Sequence, residues 1–448
     1  MTVMPQILVA PEKKRWLILS HGFNMDGRAA SLTVTDKIPH LLEAGVQPIV
    51  FSAITGIKDE RFAHHQFLAW GPAGFRFDFR HWIANQYGRG WFYKITTRTV
   101  SLLLAPFIAI EKLLLGYSSQ WSWAIPAFLH GRKLIRSGKV DVVYSSGGAW
   151  SAHLAGLWLK KSTGIELISE IHDPLVIRKS PQDQGFEKPT NRDAAFRQFL
   201  EKKLCQHADY VWWLTEGALH YAKVRNPELG TPKNAHGFVV TPGAEPPSHT
   251  QFTTKHQYSE YLNLCHFGSL AKDRSLSTIL SAFNALFAKR PEARAHIRIH
   301  VYGASLDALS VEFVERCGLD DVVVTHGRLE KDPRSGISGR EQVIEKMQQA
   351  DVLILLHGQG EECAEYIPSK LYDYLWTGRP IWGITHRNPQ LNEMLSARNA
   401  YLSASGDESG IAMTLEKIWL DWQQKNLNPV LGSPVGVNQA VQKILETI

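Results

Sequence analysis

Short apolar runs alternate with longer stretches of helical periodicity through most of the chain, the pattern of parallel strands joined by crossover helices. In the first half, strands are expected at 16–20, 48–52, 140–145, 166–170, 210–214 and 238–240. In the second half they are expected at 262–267, 297–302, 322–326, 352–356, 380–384 and 400–402. Two similar sets predict an α/β chain of two doubly wound, Rossmann-like domains. Turn formers replace the periodic hydrophobics in Pro242-Gly243-Ala244-Glu245-Pro246-Pro247-Ser248-His249-Thr250, which puts the boundary there. The expected division is 1–245, then 246–430, then a tail at 431–448 carrying a last helix from Val437 to Ile448.

One stretch departs from the alternation. An insert at about 61–123 carries Phe75-Arg76-Phe77-Asp78-Phe79-Arg80-His81-Trp82, then Arg89-Gly90-Trp91-Phe92-Tyr93-Lys94, then a strongly apolar run over 100–117. Pro106 and Glu111-Lys112 interrupt that run, so a monotopic or buried segment is expected rather than a transmembrane helix. Basic residues among aromatics suit the interfacial zone of an anionic membrane surface, and they equally suit a packed insert with a solvated basic face.

Composition narrows the classes. A chain of 448 residues exceeds one ordinary core, and 44% hydrophobic content against 21% charge describes a globular protein rather than a disordered one. A net charge of +6 is mild at this length: it accommodates a phosphate-bearing ligand without demanding nucleic acid, which is not expected as a partner. Cys205, Cys265, Cys317 and Cys363 form no Cys-x-x-Cys pair, so neither a zinc site nor a disulfide framework is expected, and a reducing cytoplasm fits best. The run Trp16-Leu17-Ile18-Leu19 after Lys13-Lys14-Arg15 is too short for a signal-peptide core and reads as the first strand.

The densest chemistry lies in Glu365-Tyr366-Ile367-Pro368-Ser369-Lys370-Leu371-Tyr372-Asp373-Tyr374, followed by Gly378-Arg379-Pro380. Pro368 suits a first helical turn, and Gly378 with Pro380 marks the helix end. The helix N-terminus at Ser369, Lys370 and Leu371 can receive phosphate, while Glu365 precedes the helix and Asp373 falls inside it, so the two acids can address different parts of one ligand. The same spacing also suits a capped surface helix. A second loop, His266-Phe267-Gly268-Ser269-Leu270-Ala271-Lys272-Asp273-Arg274, joins a strand to a helical pattern. Gly268 permits a close turn, and Lys272 or Arg274 can neutralise a diphosphate.

The first domain offers Ser20-His21-Gly22-Phe23-Asn24-Met25-Asp26-Gly27-Arg28-Ala29 after its first strand. Gly22 and Gly27 have the spacing of a phosphate loop, but Arg28 and Ala29 replace the lysine and hydroxyl that a nucleotide triphosphatase needs. Further on, His172-Asp173-Pro174 leaves the C-terminal end of a strand, where open α/β sheets bind ligands; Asp173 equally suits a turn cap.

The acid-x7-acid segment resembles the signature of glycosyltransferase family four, retaining sugar transferases of the GT-B fold, with Asp373 in place of the more usual second Glu. The resemblance implies a nucleoside-diphosphate sugar donor, Glu365 near the transferred sugar, Asp373 on the ribose, and the turn at Ser369, Lys370 and Leu371 with Arg274 on the diphosphate. It also implies a glycine loop facing the cleft at Gly27 and Arg28, an acceptor-side Asp173, a donor-side His172, and a tail returning to the first domain. Ser269 stands where the family usually has a first cation, leaving Lys272 or Arg274 to serve. No Asp-x-Asp and no His-Glu-x-x-His occurs, so neither a metal nor a cofactor besides the donor is expected. The expected acceptor is a glycan or a lipid-linked sugar. The expected location is the cytoplasm, with a peripheral contact at the membrane if the insert binds lipid. A sugar-nucleotide epimerase and a catalytically inactive binding protein remain the alternatives.

Overall fold

The computed structural model describes residues 14–25, 28–116, 120–178, 180, 189–247, 252, 258–303, 305–332 and 335–448. Two parallel sheets organise them. The first contains β1 (Arg15–Leu19), β2 (Gln47–Ala53), β3 (Ala63–Phe67), β4 (Val142–Ser146), β5 (Glu166–Ile171), β6 (Tyr210–Trp213) and β7 (His236–Val239), in the order β3-β2-β1-β4-β5-β6-β7. The second contains β8 (Leu262–Gly268), β9 (Ile297–Gly303), β10 (Val323–Gly327), β11 (Val352–Leu356), β12 (Ile381–Thr385) and β13 (Tyr401–Ala404), in the order β10-β9-β8-β11-β12-β13. In each sheet the strand order reverses beside the first strand, between β1 and β4 and between β8 and β11. Such reversal points open a crevice at the strands' C-terminal ends.

Every strand expected from the hydrophobic pattern is present, with bounds displaced by no more than two residues. The pattern does not reveal β3, the edge strand Ala63-His64-His65-Gln66-Phe67 at the start of the insert. Its inward position is filled by His64, 4% exposed, whose Nε2 lies 2.8 Å from Ser52 Oγ. A polar residue satisfied by a neighbouring hydroxyl leaves no apolar alternation to detect.

The rest of the insert is a hairpin of two helices, Pro72–Tyr87 and Trp91–Leu115. The second helix runs through Pro106 unbroken. Glu111 does not break it either, because its carboxylate turns inward and accepts from Ala73 N (3.0 Å) and Trp121 Nε1 (2.7 Å).

The C-terminal helix Val437–Thr447 places Val437, Ala440, Val441 and Ile444 on one face, at helical spacing, and packs them against Trp16, Ile18, Val34 and Ile38 of the first domain. Polar contacts also join the first domain to the rest of the chain, three of them far from the Glu365 side of the cleft. Arg340 forms a two-pronged pair with Asp36, at 3.0 Å on each prong, Trp376 Nε1 donates to the Ala244 carbonyl at 2.7 Å, and Val437 N donates to Glu245 at 2.9 Å.

Candidate active site

The loops leaving the C-terminal ends of both sheets enclose one cavity of about 640 Å³. From the second domain, Gly268, Ser269, Arg274, Ser369, Lys370 and Asp373 line it; from the first, Arg28, His172 and Asp173 do so. Arg328 and Arg340 complete a set of five basic side chains around the same space. Two loops separated by about a hundred residues thus converge because their strands, β8 and β11, are neighbours.

The ends of β8 and β9 meet at a glycine pair that no other residue could fill without rearrangement. Gly268 and Gly303 have φ of +121° and +120°, and a Cβ on Gly303 would fall 2.7 Å from the Gly268 carbonyl oxygen. The loop then turns so that Arg274 Nη2 donates to Ser269 Oγ at 3.1 Å. A serine at 269 is therefore the anchor of the loop's cation. Lys272 points elsewhere: it is exposed and lies outside the cavity lining.

Across the loop, Lys370 Nζ donates to the Phe267 carbonyl at 2.7 Å. Burial, and then the nearby Arg274 charge, lower its ammonium to about 7. An anion entering here gains most from Lys370 in its protonated form. The helix itself begins at Lys370, with Ser369 as cap, so Pro368 lies just outside it; its carbonyl accepts from Leu371 N at 2.9 Å. Leu371 is buried in the domain core and contributes to the site through its backbone position. Asp373, on the same helix, is raised to about 6 by burial, with Arg340 opposing and Asp36 adding to the rise. Arg340 Nη2 lies 3.9 Å from its carboxylate.

Glu365 is placed differently. Its neighbours Tyr366 and Ile367 face the cavity, but its own carboxylate is outside the lining and turned toward the first domain. Oε1 accepts from Arg178 Nε at 2.9 Å, Oε2 lies 3.7 Å from Arg225, and its backbone carbonyl accepts from Thr215 Oγ1 at 2.6 Å. Burial raises the Glu365 carboxyl to about 7 against the pull of Arg225 and Arg178. Thr215 also caps the helix Glu216–Arg225 by accepting from Ala218 N. The next residue but one, Gly217, makes the approach feasible, since a Cβ there would meet the Ala364 carbonyl at 2.1 Å.

On the first-domain side, Arg28 is exposed at the cavity, and burial together with the charges of Arg328 and Arg89 pulls its guanidinium below the usual range. Gly27 lies outside the described residues. Asp173 is exposed at the same opening. His172 is anchored from behind: Nε2 lies 3.1 Å from Ser146 Oγ and 3.4 Å from Glu170 Oε2. Glu170 is fully buried, takes a 2.6 Å ion pair from Lys37, and accepts from the hydroxyls of Tyr144 and Ser146. Burial opposes its ionisation, yet Lys37 and His172 outweigh that and hold the carboxyl well below its usual range.

Sequence reading does not single out Arg178, Arg225, Arg340, Arg328 or the Lys37–Glu170 pair. A trace exists for Glu170, a charge in a strand otherwise read as buried. Arg178 and Arg340 carry no local signal, because their partners lie in the other domain.

Many solved structures resemble the chain over nearly all its length, among them the following three. HepE of Anabaena, solved in complex with UDP-glucose, is 14% identical, covers 97% of this chain and 100% of its own, and superposes with a TM-score of 0.54. The trehalose-6-phosphate synthase OtsA is 11% identical, with coverages of 97% and 98% and a TM-score of 0.60. The lipopolysaccharide outer core galactosyltransferase WaaB is 10% identical, with coverages of 97% and 100% and a TM-score of 0.51. No protein-family model matches the chain, and no curated protein matches it in sequence. At these identities the shared property is the fold: the chain has the two-domain GT-B architecture.

Proposed function

We propose that this protein is a retaining glycosyltransferase of the family-four type, moving a sugar from a nucleoside diphosphate to a glycan or lipid-linked acceptor without a metal. The observation that carries this reading is the concentration of five basic side chains around one interdomain cavity, with Asp373 on one side and His172 and Asp173 on the other. A departing diphosphate accumulates negative charge, and preorganised cations stabilise it most where water is scarce. Arg274, braced by Ser269, Lys370 and the turn at Ser369 are assigned to the diphosphate, Asp373 to the ribose, and Arg28 to the phosphates from the opposite wall. His172, held by Ser146 and Glu170, is assigned to the donor sugar and Asp173 to the acceptor hydroxyl. Glu365 is assigned to the sugar end, which requires its contact with Arg178 to exchange when donor binds.

HepE is described with UDP-glucose and with UDP, which makes UDP-sugars the first donors to test. UDP-, GDP- and ADP-sugars are screened for thermal stabilisation, since a ligand of the folded state raises the melting temperature, and the stabilising donor is then assayed with and without acceptors. Turnover that requires acceptor supports transfer. Stabilisation by none of these nucleotides would sink the reading, and donor turnover without acceptor would replace it.

A further inference from the structure

The helix Trp91–Leu115 leaves most of its surface unpartnered. Its only buried residues are Thr97 and Glu111, whereas Trp91, Ile95, Leu102, Phe107, Ile110 and Leu113 are each 53 to 77% exposed. Stepped at about 100° per residue, these side chains fall within one sector about 160° wide that contains no charged residue. Lys94, Arg98 and Lys112 are exposed too, and all three fall together along one edge of that sector. The helix's one carboxylate, Glu111, is consumed inside the hairpin. A broad apolar face bordered by a row of cations is the arrangement of a helix lying in the plane of a bilayer surface, its cations reaching the headgroups.

Beside this face, Trp70, Phe75, Leu104, Phe107, Leu114 and Trp121 line an apolar groove of about 620 Å³, between the two helices of the hairpin and the start of the next segment. No single helix among the described residues is long and apolar enough to cross a membrane, and the following helix, Ala124–Arg136, puts Ala124 and Ala127 into the domain core. Trp91–Leu115 and Gln120–Arg136 together, bent by 89°, have the length and apolar composition of a broken span, but the core position of Ala124 and Ala127 ties the second member to the domain, which favours a hairpin lying on the membrane. Its tip also reaches the cleft. Arg89, in the turn between the helices, pairs with Glu330 of the second domain at 3.0 Å, and its charge acts on Arg28 at the cavity.

We propose that this hairpin seats the protein in one leaflet of an anionic bilayer, with the groove taking a hydrocarbon chain from that leaflet and the cleft opening at its surface. The occupant is anionic lipid rather than a second copy of the chain, because the helix's cations find no carboxylate on the same face of a copy. On the transfer reading above, on which this part rests, the acceptor is then a sugar carried on a membrane lipid.

Purified protein is floated with phosphatidylcholine vesicles with and without phosphatidylglycerol, alongside Leu102→Asp/Leu113→Asp and Lys94→Gln/Arg98→Gln/Lys112→Gln. All of these side chains are exposed, and melting curves check that the variants stay folded. The proposal expects flotation with phosphatidylglycerol vesicles that weakens with salt, falls at least about tenfold in the aspartate variant, and falls in the glutamine variant only where the lipid is anionic. Wild type remaining unbound at low salt, an aspartate variant that floats undiminished, or a dimer by sedimentation that the aspartates dissolve each overturns it. Thermal stabilisation by UDP in the aspartate variant is measured separately, so loss of the lipid surface and loss of the donor reading are told apart.

Discussion

Arg178 and Glu365 meet across the two domains, Nε to Oε1 at 2.9 Å, with side chains 2% and 1% exposed. Arg178 also lies 3.7 Å over the ring of Tyr221, and its Nη2 donates to the Glu361 carbonyl at 2.9 Å. The first acid of the donor segment is thereby part of the joint between domains. Removing Arg178 leaves Glu365 only the longer 3.7 Å contact with Arg225, and removing Glu365 leaves Arg178 a carboxylate no nearer than Glu361 at 3.9 Å, so either change leaves a poorly compensated charge in a low-dielectric site.

Arg178→Ala is expected to destabilise by about 3 kcal/mol, and Glu365→Ala by a similar amount. The double variant is expected to be little worse than either single one, because each removal already strands the same contact. Urea denaturation midpoints test this, and additive losses would show that the two side chains do not act as a pair.

Glu365 also sets a pH dependence. Its carboxyl rises from the ordinary 4.5 to about 7 in the folded protein, so the folded state binds more protons than the unfolded chain in that interval. This group's contribution to stability therefore falls as pH rises from about 4.5 to about 7. Melting temperatures of wild type and Glu365→Gln, compared across that interval, are expected to diverge as pH falls, with wild type gaining relative to the variant. Parallel curves would contradict it.

Nucleotide affinity should depend on Lys370. With its ammonium at about 7 in the free protein, a diphosphate that favours the charged form binds with constant affinity below that pH and progressively more weakly above it. Calorimetric titration with UDP should show this alkaline decline in wild type and not in Lys370→Met. A decline of equal slope in the variant would assign it to another group.

Arg274→Ala removes a charge-assisted contact to phosphate and the brace on Ser269, and is expected to raise the Kd for UDP by about ten- to a hundredfold. Uridine, which lacks the diphosphate, should bind the variant and wild type alike. Lys272→Ala should change neither, since its side chain is exposed outside the cavity; an equal loss in both variants would mean that the loop is merely a basic patch.

Behind His172, Lys37→Met strands the buried Glu170 and is expected to cost about 3 to 5 kcal/mol. Lys37→Met/Glu170→Gln should regain much of that, because the remaining side chain no longer carries a charge. Chemical denaturation of the two variants decides it: no recovery in the double variant would mean that Lys37 acts through packing alone.

The strands were legible because a buried parallel strand must be a short apolar run and its crossover helix must be periodic, so β1, β8 and β11 declare themselves locally. The helix bearing Asp373 was legible through its flanking Pro368 and Gly378, and the loop at Gly268 through its glycine. The edge strand β3 was hidden by His64 pairing with Ser52, and the insert's outward face was hidden because exposure is not a local property.

The two-domain parallel architecture and the segments that border the cleft are thus written locally, each in the spacing of residues near one another in the chain. Packing in three dimensions is needed to see that Ser269 braces Arg274, that Glu365 turns to Arg178, that Arg340 holds Asp36 beside Asp373, and that the helix Trp91–Leu115 presents its apolar side outward. Those relationships join residues up to hundreds of positions apart, and which charge neutralises which is settled by how the domains pack rather than by any periodicity along the chain.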